Sequence, residues 1–122
     1  MSTLKVNTLE EATSGGATFF TAKAWLYLNG SSFGIVADGN VSSATDQGTG
    51  QYKVNYSSAV SSSSYQVAGT AYGGPTNGTY GLTINAASTP LSRTTSSLEF
   101  DTERTSTFSL EDTADINIAV IL

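Results

Sequence analysis

From Gln51 to Tyr56 the chain reads QYKVNY, with Tyr52, Val54 and Tyr56 on one parity and Gln51, Lys53 and Asn55 on the other. A period of two describes a strand with one face in a core and the other in water. The pattern recurs. SLEFDTE sets Leu98 and Phe100 against Glu99, Asp101 and Glu103, and DINIAVIL places Ile116, Ile118, Val120 and Leu122 on one side. Runs at helical spacing are nearly absent, while turn-forming Gly, Asn, Asp and Ser recur between the alternating segments. The expected fold is all-β and antiparallel, a sandwich or a barrel in which the strands succeed one another as a meander of hairpins.

Other segments refine this expectation. AKAWLYLNG is apolar on both parities, with Ala22, Ala24, Leu26 and Leu28 on one side and Trp25 and Tyr27, with Phe19 before them, on the other. A strand apolar on both faces is expected to be covered on both, and in a chain of 122 residues a neighbouring subunit is the expected second layer. The closing DINIAVIL strand is expected either centrally in a sheet or at a subunit contact, and Trp25, Tyr27, Ile118, Val120 and Leu122 are the predicted subunit contacts. Phe33 to Val36 reads as a short strand ended by a turn at Ala37-Asp38-Gly39-Asn40. YQVAGTAY, the loop GGPTNGT and YGLTIN come after the central hairpin. At the start, Leu4, Val6 and Leu9 are too sparse to build a core, and Ser14-Gly15-Gly16 separates them from the rest of the chain. Residues 1–16 are expected to be an attachment arm and 17–122 the β domain. Such an arm adds to a sheet edge, either on a partner protein or within its own assembly.

Composition removes whole classes of function. Charged residues make up 12% of the chain, about half the usual share, and the net charge is −5 with five basic residues and no basic cluster. Nucleic-acid binding is not expected. The chain has no Cys and no His, so disulfides, thiolate sites, the commonest general base and the commonest metal ligand are all missing. No apolar run approaches the length that crosses a bilayer as a helix, and MSTLKVNT lacks a signal-peptide core. Synthesis in a cytoplasm and no membrane insertion are expected.

The remaining candidates for chemistry have plain structural readings. Asp38 and Asp46 with nearby carbonyls suggest an oxygen cage for calcium, but DQGTGQ lacks the spacing and closing Glu of a calcium loop, and a hairpin shaped by Asp46, Gly48 and Gly50 is expected instead. Glu99, Asp101 and Glu103 suggest paired carboxylates for glycoside hydrolysis; a spacing of two puts all three on one wet strand face. GGPTNG lacks the Lys of a phosphate loop, and NGT at 77–79 matches a glycosylation sequon of a secretory pathway the chain is not expected to enter. Aromatics such as Trp25, Tyr27 and Tyr72 suit a sugar platform. Tyr72, beside Gly73-Gly74-Pro75, is expected to be the exposed one.

Several segments together carry a resemblance. LKVNTLEEATSG, AKAWLYLNG, VSSATDQGTGQYKVNYSSAVSSSSYQVAG and the closing DINIAVIL resemble the small tail-fibre proteins and fibre-tip domains of tailed bacteriophages, especially marine and cyanobacterial ones. Tyr56 stands where that pattern more often has Phe, and SSSS replaces a Pro-containing turn; neither alters strand parity. The resemblance implies a β-sandwich-like, homotrimeric virion protein without enzymatic activity or cofactor, held on the particle by Leu4, Val6 and Leu9 and turning Tyr72, Pro75 and Asn77 as its host-facing group towards a host surface polysaccharide or protein. A capsid decoration protein that stabilises the phage head is the alternative. A carbohydrate-active enzyme using the Glu99 group is a third class.

Overall fold

The computed structural model describes Thr3 and residues 21–75, 78–83 and 92–122. Nine strands are present among them: β1 (Ala22–Asn29), β2 (Gly34–Gly39), β3 (Val41–Gly48), β4 (Gln51–Tyr56), β5 (Gln66–Tyr72), β6 (Tyr80–Thr83), β7 (Ser97–Arg104), β8 (Ser109–Leu110) and β9 (Asp115–Ile121). None of the described residues is helical. One sheet has the order β2-β1-β9-β5; the other has the order β3-β4-β7-β6, with β8 also pairing β7, and every pairing between strands is antiparallel.

The two sheets are joined by side chains that the alternation selects. Ala24, Leu26 and Leu28 of β1 and Ile116, Ile118 and Val120 of β9 form one half of a continuous core. Tyr52, Val54 and Tyr56 of β4 and Leu98 and Phe100 of β7 form the other half. Burial of each large side chain contributes about 1.5–3 kcal/mol. The rings interlock: Tyr52 stacks on Phe33 at 6.3 Å and tilts against Phe100 at 5.5 Å, and Tyr56 meets Tyr65 edge-on at 6.2 Å. Tyr56 donates to the Tyr65 hydroxyl (3.0 Å), which donates to the Ser97 carbonyl (3.1 Å), so the buried phenols leave no hydroxyl stranded.

The chain is not a simple meander. β9 inserts between β1 and β5, and β7 between β4 and β6. The most regularly apolar strand thus takes an interior place, where both edges are paired. The crossing from one sheet to the other falls at Asn40, the single residue between β2 and β3, with φ 59°. Asn tolerates that left-handed conformation better than most residues. Its amide fastens the corner by donating to the carbonyls of Lys23 (2.8 Å) and Ser58 (3.0 Å) and accepting from the Ser58 N–H (2.8 Å). The turn expected over residues 37–40 is therefore narrower than its composition suggests, since β2 runs through to Gly39.

The inner face of β1 is buried in the core, and on its outer face Tyr27 is half-buried while Trp25 is 45% exposed. One sequence expectation is corrected by this packing: the face of β7 opposite the core is not uniformly wet. Asp101 is fully buried, whereas Glu99 and Glu103 are half-buried. β7 is flanked on both sides, and Asp101 lies in register between Gln51 of β4 and Thr83 of β6.

Candidate functional site

One end of the sandwich gathers the turn after β1, the β3–β4 turn, Gly73-Gly74-Pro75 and the connection from β8 to β9. The shape of the β3–β4 turn comes from local chemistry. The Gly48 N–H donates to Asp46 Oδ1 (3.0 Å), and Gly48 and Gly50 take φ values of 142° and 65°. At Gly50 a Cβ would lie 2.6 Å from the Thr102 carbonyl oxygen and 2.8 Å from the Glu111 nitrogen, so only glycine fits. Asp46 is thus the corner of a hairpin, as its setting among glycines suggests. Asp38, its imagined companion in a calcium cage, is exposed on a strand of the other sheet.

Asp112 fixes the neighbouring connection. Its Oδ1 accepts from the Gly50 N–H (2.7 Å) and from the buried Tyr52 hydroxyl (2.9 Å). Burial and then this carboxylate raise the Tyr52 hydroxyl well above the usual tyrosine range. Close by, Gly30 N–H donates to the Thr113 carbonyl (2.9 Å), Ala114 N–H to the Gly73 carbonyl (3.1 Å) and Tyr80 to Glu111 Oε2 (2.9 Å). Between these tethered loops lies an open trough of about 340 Å³ lined by Ser31, Thr49, Gly73, Gly74, Pro75, Glu111 and Asp112. Tyr72, next to Gly73 in the chain, is 74% exposed, and Pro75 is exposed too. Asn77, the third of the predicted host-facing residues, lies outside the described residues.

The Glu99, Asp101 and Glu103 group is arranged for structure. Glu99 accepts from the Ser92 N–H (2.8 Å) and the Gln47 amide (3.2 Å), which lowers its carboxyl from the ordinary value. Glu103 accepts from the Thr83 hydroxyl (3.1 Å). Neither oxygen of Asp101 has a hydrogen-bond partner of good geometry. Burial raises its carboxyl, the Gln51 amide opposes that rise, and repulsion from Glu103 and Glu99 adds to it. Among the described residues no group of three or more carboxylates is placed to hold a metal ion.

The predicted subunit contacts are dispersed. Ile118 and Val120 face into the chain's own core at 6% and 2% exposure, which removes them from any outer surface. Leu122 is half-buried and packs on that core. Tyr27 donates to Asp115 Oδ1 (2.5 Å), and that bond, with the charge of Asp115, raises the phenol. Of the five, Trp25 alone stands largely clear. Leu4, Val6 and Leu9 of the predicted attachment arm lie outside the described residues.

Reading the sequence missed Asp112, which looked like one more turn residue in EDTAD, and Asn117, the polar interruption on the outward parity of INIAVIL. The second carries its own signal: an Asn between two Ile on an otherwise apolar strand marks an exposed position on a central strand. No family model matches the chain, and no curated protein or solved structure matches it either.

Proposed function

We propose that this chain is a non-enzymatic structural protein of a tailed-phage virion, a short homotrimeric tail fibre or fibre tip that is held on the particle by residues 1–16 and contacts the host surface. The observation that carries this reading is that the segments bearing the resemblance make the frame of the domain. AKAWLYLNG supplies β1, DQGTGQYKVNY the β3–β4 hairpin, and DINIAVIL the central β9. The carboxylates add support, because Asp46, Glu99, Glu103, Asp112 and Asp115 each accept a hydrogen bond that holds a turn or a strand. The tethered loop end, with Tyr72 and Pro75 outermost, is the surface turned to the host, where a polysaccharide or a protein is met. Self-association uses the β2 edge, where Ile35 is 38% and Val36 58% exposed.

Deletion of residues 1–13 tests the attachment. The shortened chain folds and trimerises but is missing from purified virions. Incorporation at the level of the intact chain would overturn the role given to the arm, and loss of the trimer would show that the arm serves its own assembly.

A further inference from the structure

β1, β9 and β5 lie side by side, and their outward residues form rows across the sheet. Trp25, Ala119 and Ala68 share one row, and Tyr27, Asn117 and Thr70 share the next. Trp25 pairs on its other side with Gly39 of β2, and its indole occupies the space that a side chain at Gly39 would need. The ring is thereby held over the missing side chain while remaining 45% exposed. Beside it the small side chains of Ala68 and Ala119 leave an open trough of about 500 Å³, lined also by Gly69, Thr70 and Asn117.

We propose that this trough is a subsite for a neutral pyranose ring of a glycan, stacked against Trp25 and hydrogen-bonded by Asn117 and Thr70. The proposal rests on the host-contact reading above and adds a ligand class and a second surface to it. A pyranose offers an apolar C–H face edged with hydroxyls. That face matches an indole, and the hydroxyls match an amide, which has both donors and an acceptor, next to a threonine hydroxyl. None of the lining residues is charged, so an anionic sugar finds no cation here. A second copy of the chain fits less well. Stable protein interfaces bury about 800 Å² per partner around several large anchors, and in this trough Trp25 is the one large exposed side chain among Ala68, Ala119, Thr70 and Asn117.

The chain has one Trp, so its intrinsic fluorescence reads the site without a label. The full chain is titrated with short neutral gluco-, galacto- and manno-oligosaccharides, and with oligogalacturonate as the anionic control. At least one neutral series gives a saturable change in emission, and oligogalacturonate gives none. Thr70→Tyr, which fills the trough from an exposed position on the edge strand, lowers affinity at least about tenfold with no change in melting temperature, and Asn117→Ala lowers it about fivefold. Silence from every neutral series, or binding that survives Thr70→Tyr, overturns the proposal. So does an emission change that tracks protein concentration without sugar, which would mean that a second copy covers this face. A chain found on virions but blind to all neutral series loses the trough and keeps its place on the particle; one that binds sugar but is absent from virions does the reverse.

Discussion

The Tyr52 hydroxyl donates a hydrogen bond to Asp112 Oδ1 at 2.9 Å across 60 residues of chain. The same oxygen accepts from the Gly50 N–H at 2.7 Å. One carboxylate therefore ties the β3–β4 hairpin to the connection between β8 and β9, and with it one wall of the loop-end trough. Asp112→Ala takes away the acceptor shared by a buried hydroxyl and an amide and is expected to destabilise by about 2–3 kcal/mol, whereas Tyr52→Phe, which leaves Asp112 its bond to Gly50, costs about 1 kcal/mol. Urea denaturation of the two single variants and the double variant measures both, and a coupling close to zero would contradict the account.

The two turn glycines of the hairpin should differ in cost. Gly48 has a φ of 142° with open space around it, and Gly48→Ala is expected to cost about 1 kcal/mol. Gly50 combines a φ of 65° with backbone atoms of Thr102 and Glu111 where a Cβ would go. Gly50→Ala should cost at least about 2 kcal/mol or prevent folding. Equal melting temperatures for the two variants would contradict this.

Strand parity was legible wherever one face is buried. Tyr52, Val54, Tyr56, Leu98 and Phe100 are all inward, as alternation demands. Topology was less so, because alternation says which way a side chain points and nothing about which strand lies alongside. β9 takes the central place that was one of the two expected for it, and its inward parity puts Ile118 and Val120 in the chain's own core and not at a subunit contact. Asp101 shows the same limit from the other side: its parity is outward, yet it is fully buried. Asp112 was illegible for a different reason, since a side chain that bonds a residue so far along the sequence leaves no local pattern.

Asp101 should impose a pH dependence of definite sign. Burial holds its carboxyl above the ordinary value, so ionisation opposes folding. That cost is absent below the unfolded-chain value of about 3.9 and grows as pH rises from there through the folded value. Asp101→Asn removes it, and the variant is expected to gain about 1 kcal/mol over the wild type at neutral pH and little at pH 3. Glu99 runs the other way, with a lowered carboxyl whose contribution is complete above its unfolded value and lost as pH falls through the folded one. A stability difference between Asp101→Asn and wild type that does not change between pH 3 and pH 7 would contradict the assignment.

Self-association through β2 is tested by one edge substitution. Sedimentation of the intact chain should give a trimer at micromolar concentration, and Val36→Lys, which sets a charge on that edge, should return it to monomer with its circular dichroism unchanged. A wild-type monomer, or a trimer indifferent to the substitution, would reject this surface.

The central claim is a place on the virion, and immunogold electron microscopy of purified particles with antibody to this chain tests it most directly. The account predicts gold at the tail tip or fibres; gold spread over the head would replace the fibre reading with decoration of the capsid, and particles without label, from cells that contain the chain, would contradict a virion role altogether.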